Sequence, residues 1–361
     1  MKRMMIVLGL VALASAAPAG DHPEHPAEHP AKEAQNPHDL PQEKHLRNLR
    51  MLTEAGENAE AYFSFDMQRL IFQSTHGDWE CDQIFTMDLD GGNRQLVSTG
   101  EGRTTCSFFL PGDEKIIYAS THAKDAACPA KADMSRGYVW KVYADFDNYI
   151  ANADGSDPRV FVPAPGYDAE ATVSPAGDRI VFTSQRSGDL EIWTCNLDGS
   201  DLKQLTDTLG YDGGPFFSWD GSKIVYRSFH PQTEAEIQRY RELLADEMIE
   251  PGNFQIWVMD ADGSNKRQVT HNDAANFAPF FHPDGERIIF CSSLNSKNPR
   301  RPDFNLWLVR EDGTGLEQVT FYEGFDGFPM FTRDASKLAF ASNRNNRNPR
   351  DTNVFLADWV D

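Results

Sequence analysis

One dipeptide, Asp-Gly, returns along this chain in the same setting and constrains the fold more than any other feature. It stands at Asp90-Gly-Gly92, Asp154-Gly-Ser156, Asp198-Gly-Ser200, Asp262-Gly-Ser264 and Asp312-Gly-Thr314. Each copy leads into a short run of extended character: RQLVS, PRVFV, LKQLT, KRQVT or LEQVT. A second turn recurs between them, at Pro111-Gly-Asp113, Pro175-Ala-Gly-Asp178, Trp219-Asp-Gly-Ser222, Pro283-Asp-Gly-Glu286 and Arg333-Asp-Ala-Ser336. Gly, Asp and Pro are the residues that let a backbone reverse, so the two turns mark strand ends. The interval from Asp154 to Asp198 is the shortest and defines the basic unit. The longer intervals carry insertions.

Residues 166–206 show one complete unit, with strands expected at 171–174, 179–184, 191–196 and 202–206. A lone four-stranded meander cannot bury both faces, so the copies must stack. The second strand of each copy is β-branched or aromatic and occurs at 69–73, 115–119, 179–183, 223–227, 287–291 and 337–341. The pattern therefore predicts an all-β chain, a six-bladed β-propeller of four-stranded blades. The last copy ends at 353–358 without an outer strand, while an orphan strand, 49–53, precedes the first. The orphan is expected to complete the last blade and so to close the ring without an open edge.

The repeats resemble those of TolB-type, WD-repeat-like propellers of the bacterial Tol system. The likeness is carried by Gln204-Leu-Thr206, Ser174-Pro-Ala-Gly-Asp178, Ile256-Trp-Val-Met-Asp260 and Ala261-Asp-Gly-Ser264, and spans residues 48–361. It implies a periplasmic or secreted propeller; that family carries an α/β domain ahead of the ring, where this chain has 20–47.

The N-terminus supports export. Met1-Lys-Arg3 is basic, 4–14 is apolar but too short to span a bilayer, and 15–19 offers small residues for cleavage. Residues 1–19 are thus expected to be a signal peptide. Residues 20–47, rich in Pro, Glu and His, are expected to be a disordered linker. His25-Pro-Ala-Glu-His29 matches a metallopeptidase pattern, but its prolines break the helix that chemistry needs. A net charge of −21 argues against nucleic acid or anionic membrane as a partner. No membrane span and a monomer are expected.

Strands alternate in direction around a blade, so the loops before strand a and after strand b share one face. All the long insertions fall there: 121–143, 229–253, 294–304 and 343–352. The second is expected to hold a helix capped by Thr233, with Ile237, Tyr240, Leu244 and Met248 on one side. Two columns of candidate binding residues should ring the channel mouth on this face. One is Asn58, Thr104, Asp168, Asp212, Asn276 and Asp326; two positions on stand Glu60, Cys106, Glu170, Gly214, Ala278 and Phe328. The other is His76, His122, Arg186, His230, Asn295 and Arg344. The oxygen-rich column suits a partner's cationic group or a hard cation such as calcium, for which Asp168, Asp212 and Asp326 are the candidate ligands. Asp and Asn that merely cap tight loops would give the same pattern.

Five cysteines in an exported chain leave at least one unpaired. Cys106 is expected to bridge to Cys81 or to Cys128, and Cys195 and Cys291 to be buried thiols. Fingerprints of nucleophile elbows, P-loops and dinucleotide sites are missing from the sequence. Two functions follow: a binding module presenting its acidic, decorated face to a protein, peptide or glycan in the cell envelope, or a calcium-assisted hydrolase at the channel mouth, with Glu60 and Glu170 as acid or base.

Overall fold

The computed structural model describes residues 36–298, 302–346, 348 and 351–361. The expected signal peptide and the linker up to residue 35 lie outside them. Six four-stranded antiparallel sheets form the six blades. Their strands a to d, from the channel outward, are as follows. Blade one is Glu57–Phe63, Arg69–Thr75, Gln83–Asp88 and Gln95–Leu96; blade two is Thr104–Phe109, Lys115–Ser120, Asp147–Asn152 and Arg159–Phe161. Blade three is Asp168–Val173, Arg179–Ser184, Glu191–Asn196 and Lys203–Gln204; blade four is Tyr211–Phe217, Lys223–Phe229, Gln255–Asp260 and Arg267–Gln268. Blade five is Asn276–Phe281, Arg287–Ser292, Asn305–Arg310 and Glu317–Gln318. Blade six takes Asp326–Phe331, Lys337–Ser342 and Asn353–Trp359 from the C-terminus and Leu46–Met51 from the N-terminus.

The closing strand runs antiparallel to the last one, with Leu46 opposite Trp359 and Met51 opposite Phe355. Leu46, Leu49 and Leu52 are buried in the seam. Beyond them, Thr53 donates its hydroxyl to Asn353 Oδ1 at 2.8 Å and accepts from the Val354 N–H at 2.9 Å. The strand starts earlier than expected, and residues 36–47 are not a loose spacer: Glu43 and His45 are buried. His45 stacks on Trp359 with ring centroids 4.7 Å apart. Arg344 explains the ordering, because its guanidinium reaches Glu43 Oε2 at 2.8 Å and Oε1 at 3.0 Å.

Strand b lies mid-blade with a neighbouring blade on each face, which accounts for its unbroken apolar runs. Ile71, Ile117, Val181, Val225, Ile289 and Ala339 have no exposed surface. The Asp-Gly turns fit the gap between blades. In the second copy the Asp154 carboxylate accepts from the Ser156 N–H at 3.0 Å, and Gly155 has φ 84°. A Cβ on Gly155 would stand 2.8 Å from the Val97 carbonyl oxygen of the preceding blade, so both the turn and the packing require glycine.

The inner strands share one irregularity. Each shifts register at a bulge, between Ala59 and Tyr62 in blade one and at the same place in the other five. The bulged residues are Glu60, Cys106, Glu170, Gly214, Ala278 and Phe328, all with φ between 49° and 60°. Only Gly214 is a glycine; the others hold a conformation that costs roughly 1–2 kcal/mol apiece. Such bulges re-aim side chains. Here they send one residue per blade into the channel.

Candidate functional site

The first oxygen-bearing column is buried, and its members are engaged with strand b of their own blade or, as for Thr104 on the Asp82 carbonyl and Asn276 on the Phe254 carbonyl, with the preceding blade. Asn58, Thr104, Asp168, Asp212, Asn276 and Asp326 stand opposite Ser74, Ser120, Ser184, Ser228, Ser292 and Ser342 of strand b. Two residues past each serine comes the second column. His76 and His122 lie 2.8 Å from Ser74 Oγ and Ser120 Oγ. Arg186 donates to Asp168 at 3.0 Å, His230 lies 3.1 Å from Asp212, and Arg344 donates to Asp326 at 2.7 Å. In blade five this position is Leu294, whose N–H donates to Ser292 Oγ at 3.0 Å; Asn295, placed here from the sequence, lies one residue further on and is in a left-handed turn. The candidate calcium ligands Asp168, Asp212 and Asp326 therefore each face a basic side chain, and among the described residues no three His, Cys, Asp or Glu side chains are grouped to hold a metal.

The bulge column lines the channel instead. Below it, toward the opposite face, the channel is shut by Tyr62, Phe108, Phe216 and Phe280. Tyr62 belongs to blade one and Phe216 to blade four, on opposite sides of the ring, yet their ring centroids are only 5.4 Å apart. Phe280 closes on Phe216 at 5.3 Å. The mouth is a blind cup rather than a pore.

Two insertions build its rim. The second-blade insertion holds a short 3-10 turn, Met134–Arg136, and then a two-residue strand, Trp140–Lys141, paired with Met248–Ile249 of the fourth-blade insertion. The fourth-blade insertion carries helix α1, Glu234–Ala245, capped as expected by Thr233, which accepts from the Glu236 N–H while Glu236 reaches back to the Thr233 N–H. Asp246 ends the helix, so Met248 belongs to the pairing strand. Tyr240 fastens the helix by donating to the Gly210 carbonyl at 2.6 Å. Arg136 donates to Asp246 at 2.8 Å and Arg239 to the Arg136 carbonyl at 2.6 Å, so the two insertions form one strap from blade two to blade four.

The far end of the strap is held covalently. Cys81 is bonded to Cys128, with Cα atoms 5.8 Å apart, which corrects the expected pairing through Cys106. Cys106 is a bulge residue and its thiol faces the channel, whereas Cys81 and Cys128 meet on the loops outside it. Cys195 and Cys291 are buried thiols, as expected.

Strap and bulges enclose a cavity of about 550 Å³. Its walls include Trp140, Tyr143, Phe146 and Tyr167, and its floor Glu60, Cys106, Glu170, Arg227 and Phe328. Arg227, not singled out from the sequence, anchors the floor: buried, it is paired with Glu170, donates to Tyr211 Oη at 2.7 Å and lies 5.7 Å from the Trp140 ring centre. Glu170 also accepts from Thr183 Oγ1 at 2.6 Å and the Gly214 N–H at 2.8 Å. Arg227 was legible in principle. It is the only basic residue in its strand position, and it sits opposite the consecutive glycines Gly213 and Gly214. A Cβ on Gly214 would come 2.3 Å from its guanidinium.

Asp82 on the cavity wall is paired with Arg103. Among the described residues no basic side chain pairs with Glu60. Burial pushes its carboxyl up to about 7, the Cys106 thiol opposing and Glu170 reinforcing the shift. Burial, with Glu60 and Glu170 adding to it, also pushes the Cys106 thiol up, so it is a hydrogen-bonding group rather than a thiolate.

No protein-family model matches the chain. No curated protein matches it either. Solved structures do. A TolB structure from Agrobacterium tumefaciens is 18% identical with a TM-score of 0.55, over 86% of this chain and 94% of that one. TolB from Acinetobacter baumannii is 16% identical with a TM-score of 0.54, over 75% of this chain and 56% of that one. An oligogalacturonate lyase from Vibrio parahaemolyticus is 12% identical with a TM-score of 0.52, over 85% of this chain and 79% of that one. Identities this low speak to fold. In fold, this chain is a TolB-like six-bladed β-propeller.

Proposed function

We propose that this protein is an exported binding module that takes part of a protein, peptide or glycan partner into the cup on its decorated face. The observation that carries this is the cup itself: a cavity of about 550 Å³, closed below by aromatic rings and walled by aromatic and charged side chains. That volume lies within the usual range of ligand sites. Rigid blades hold the floor and non-repeating insertions supply the rim, the usual division between scaffold and recognition loops. The Cys81–Cys128 disulfide fits an oxidising compartment. Among the described residues no helix is long and apolar enough to cross a membrane.

The test is a site-specific photocrosslinker placed at Lys131, on the exposed rim, or at Arg333, on the opposite face. A discrete adduct in the envelope fraction from position 131, absent from 333 and lost when Trp140→Leu is added, is the expected result. Equal labelling from both positions would overturn the reading.

A further inference from the structure

We infer that the cup selects a positively charged group on a flexible stem, the ammonium or guanidinium of a basic side chain or a free amine, with Glu60 as its counter-charge. This rests on the reading of the cup as a binding site and names what enters it. Charge accounting inside the cavity carries the argument. Asp82 is neutralised by Arg103 and Glu170 by Arg227. Glu60 stands on the same floor, aimed inward by its bulge, and among the described residues no basic side chain pairs with it. A carboxyl in that position leaves room for one cation from outside.

The walls fit the same guest. Trp140, Tyr143 and Tyr167 surround the approach to Glu60, and aromatic faces attract cations, most strongly where water is excluded. Arg227 already lies over Trp140 and Tyr211 in this manner. The aliphatic stem of a lysine or arginine would lie along the aromatic wall while its head reaches the floor. An anionic guest would meet Glu57, Glu60 and Glu170 while Arg227 and Arg103 are taken; the lysines of the lining, Lys131 and Lys141, stand on the strap, and Lys141 faces Glu247.

The groups facing Glu60 are Cys106 from blade two, Glu170 from blade three, Arg227 from blade four, Tyr62 from its own strand and Asp82 from the loop beyond strand b of blade one. Glu57, Arg103, Lys131, Lys141, Tyr143 and Tyr167 complete the charged and titratable lining. Because burial holds the Glu60 carboxyl near 7, the counter-charge is present above that pH and lost below it.

The test is a cycle measured by titration calorimetry on the full chain. The ligands are a short end-blocked peptide with one lysine and its acetyl-lysine twin, and the proteins are the native chain and Glu60→Gln. Acetylation removes the charge and keeps the stem. The native protein is expected to bind the lysine peptide at least tenfold more tightly than the acetylated one, and Glu60→Gln to bind both alike. Native affinity for the lysine peptide should fall about tenfold from pH 8 to pH 6, and the variant's should not. Cadaverine and agmatine form a second arm: competition by either supports the same chemistry with a soluble amine as its source. If native protein binds both peptides equally, or a neutral oligosaccharide binds in a Trp140-dependent way while the lysine peptide does not, the charge assignment falls and the cup remains a binding site. Absence of any peptide, amine or oligosaccharide binding, with no adduct at position 131, would overturn both. The melting temperature and circular dichroism of Glu60→Gln show whether a loss is of site or of fold.

Discussion

Replacing Glu191 by glutamine isolates one buried carboxyl. In several blades the first residue of strand c accepts from a hydroxyl at or just past the end of strand d. Gln83 accepts from Ser98 Oγ at 2.7 Å, Gln255 from Thr270 Oγ1 at 2.9 Å and Asn353 from Thr53 Oγ1 at 2.8 Å. The two glutamine amides also donate outward, to the Gly102 and Asn272 carbonyls at 2.9 and 2.8 Å. In blade three the residue is Glu191, 2% exposed, with Oε2 lacking a hydrogen-bond partner. Burial pushes its carboxyl up to about 8 against the Thr206 hydroxyl, with Asp212 and Asp189 adding to the shift. Unfolded, it titrates near 4.5. Between those values the folded chain holds a proton that the unfolded chain has released, so stability falls as pH rises through the window. The slope is at most about 1.4 kcal/mol per pH unit. Partial hydration of the carboxylate lowers this, so Glu191→Gln should stabilise by about 1–3 kcal/mol at pH 8 and by nearly nothing at pH 5. Urea unfolding of both proteins at pH 5, 6, 7 and 8 measures it. A glutamine variant that is less stable at pH 8, or a difference that ignores pH, would refute the reasoning.

Glu43→Ala leaves Arg344 buried with Asp326 as its remaining acid, and should cost about 3–5 kcal/mol in urea unfolding; an unchanged midpoint would show that the N-terminal segment does not secure the ring. Starting the chain at residue 54 removes the closing strand and exposes the edge of the last one, so size-exclusion chromatography should show association or aggregation that the full chain does not. Cys81→Ser opens a loop of 47 residues, worth up to about 4 kcal/mol on chain entropy, and the denatured, unreduced native protein should titrate three thiols. Millimolar calcium should leave the melting temperature unmoved, because Asp168, Asp212 and Asp326 face Arg186, His230 and Arg344; a clear rise would favour calcium binding at these carboxylates.

Features set by local backbone chemistry were legible in the sequence. The Asp-Gly turns, the buried b strands, the Thr233 cap and the orphan closing strand each depend on a few adjacent residues, and their repetition fixes the ring. Contacts between non-repeating segments were not. The partner of Cys128 depends on the path of an insertion that occurs once, and no spacing encodes that path. Helix α1 illustrates the limit: the periodicity of Ile237, Tyr240 and Leu244 extends to Met248, but Glu247 adopts φ 57° after the Asp246 cap and turns the chain into a strand. Alignment of the repeats located Asp168 and Asp212 without revealing that Arg186 and His230 occupy them, because position within a repeat does not specify what a side chain touches.

The mouth is therefore governed by where the repeat breaks. Buried aspartate occurs in the first column only in blades three, four and six, and in each of these the residue two past the strand-b serine is Arg or His placed against it. Where the column holds Asn58, Thr104 or Asn276, the residue two past the serine is His76, His122 or Leu294, and burial lowers the pKa of His122. An unpaired buried carboxylate would cost several kcal/mol, so acid and base are matched blade by blade. This scaffold has little charge left to offer a ligand. On the channel floor the charge that remains lies one step inward, on the bulges, where the six positions are chemically unlike: Glu60, Cys106, Glu170, Gly214, Ala278 and Phe328. Gly214 admits Arg227, Arg227 neutralises Glu170, and Glu60 is left facing a cavity bordered by the disulfide-held strap of blades two and four. Exchanging residues among these bulges should thus alter what is bound far more than exchanging members of the matched columns, which should alter stability first.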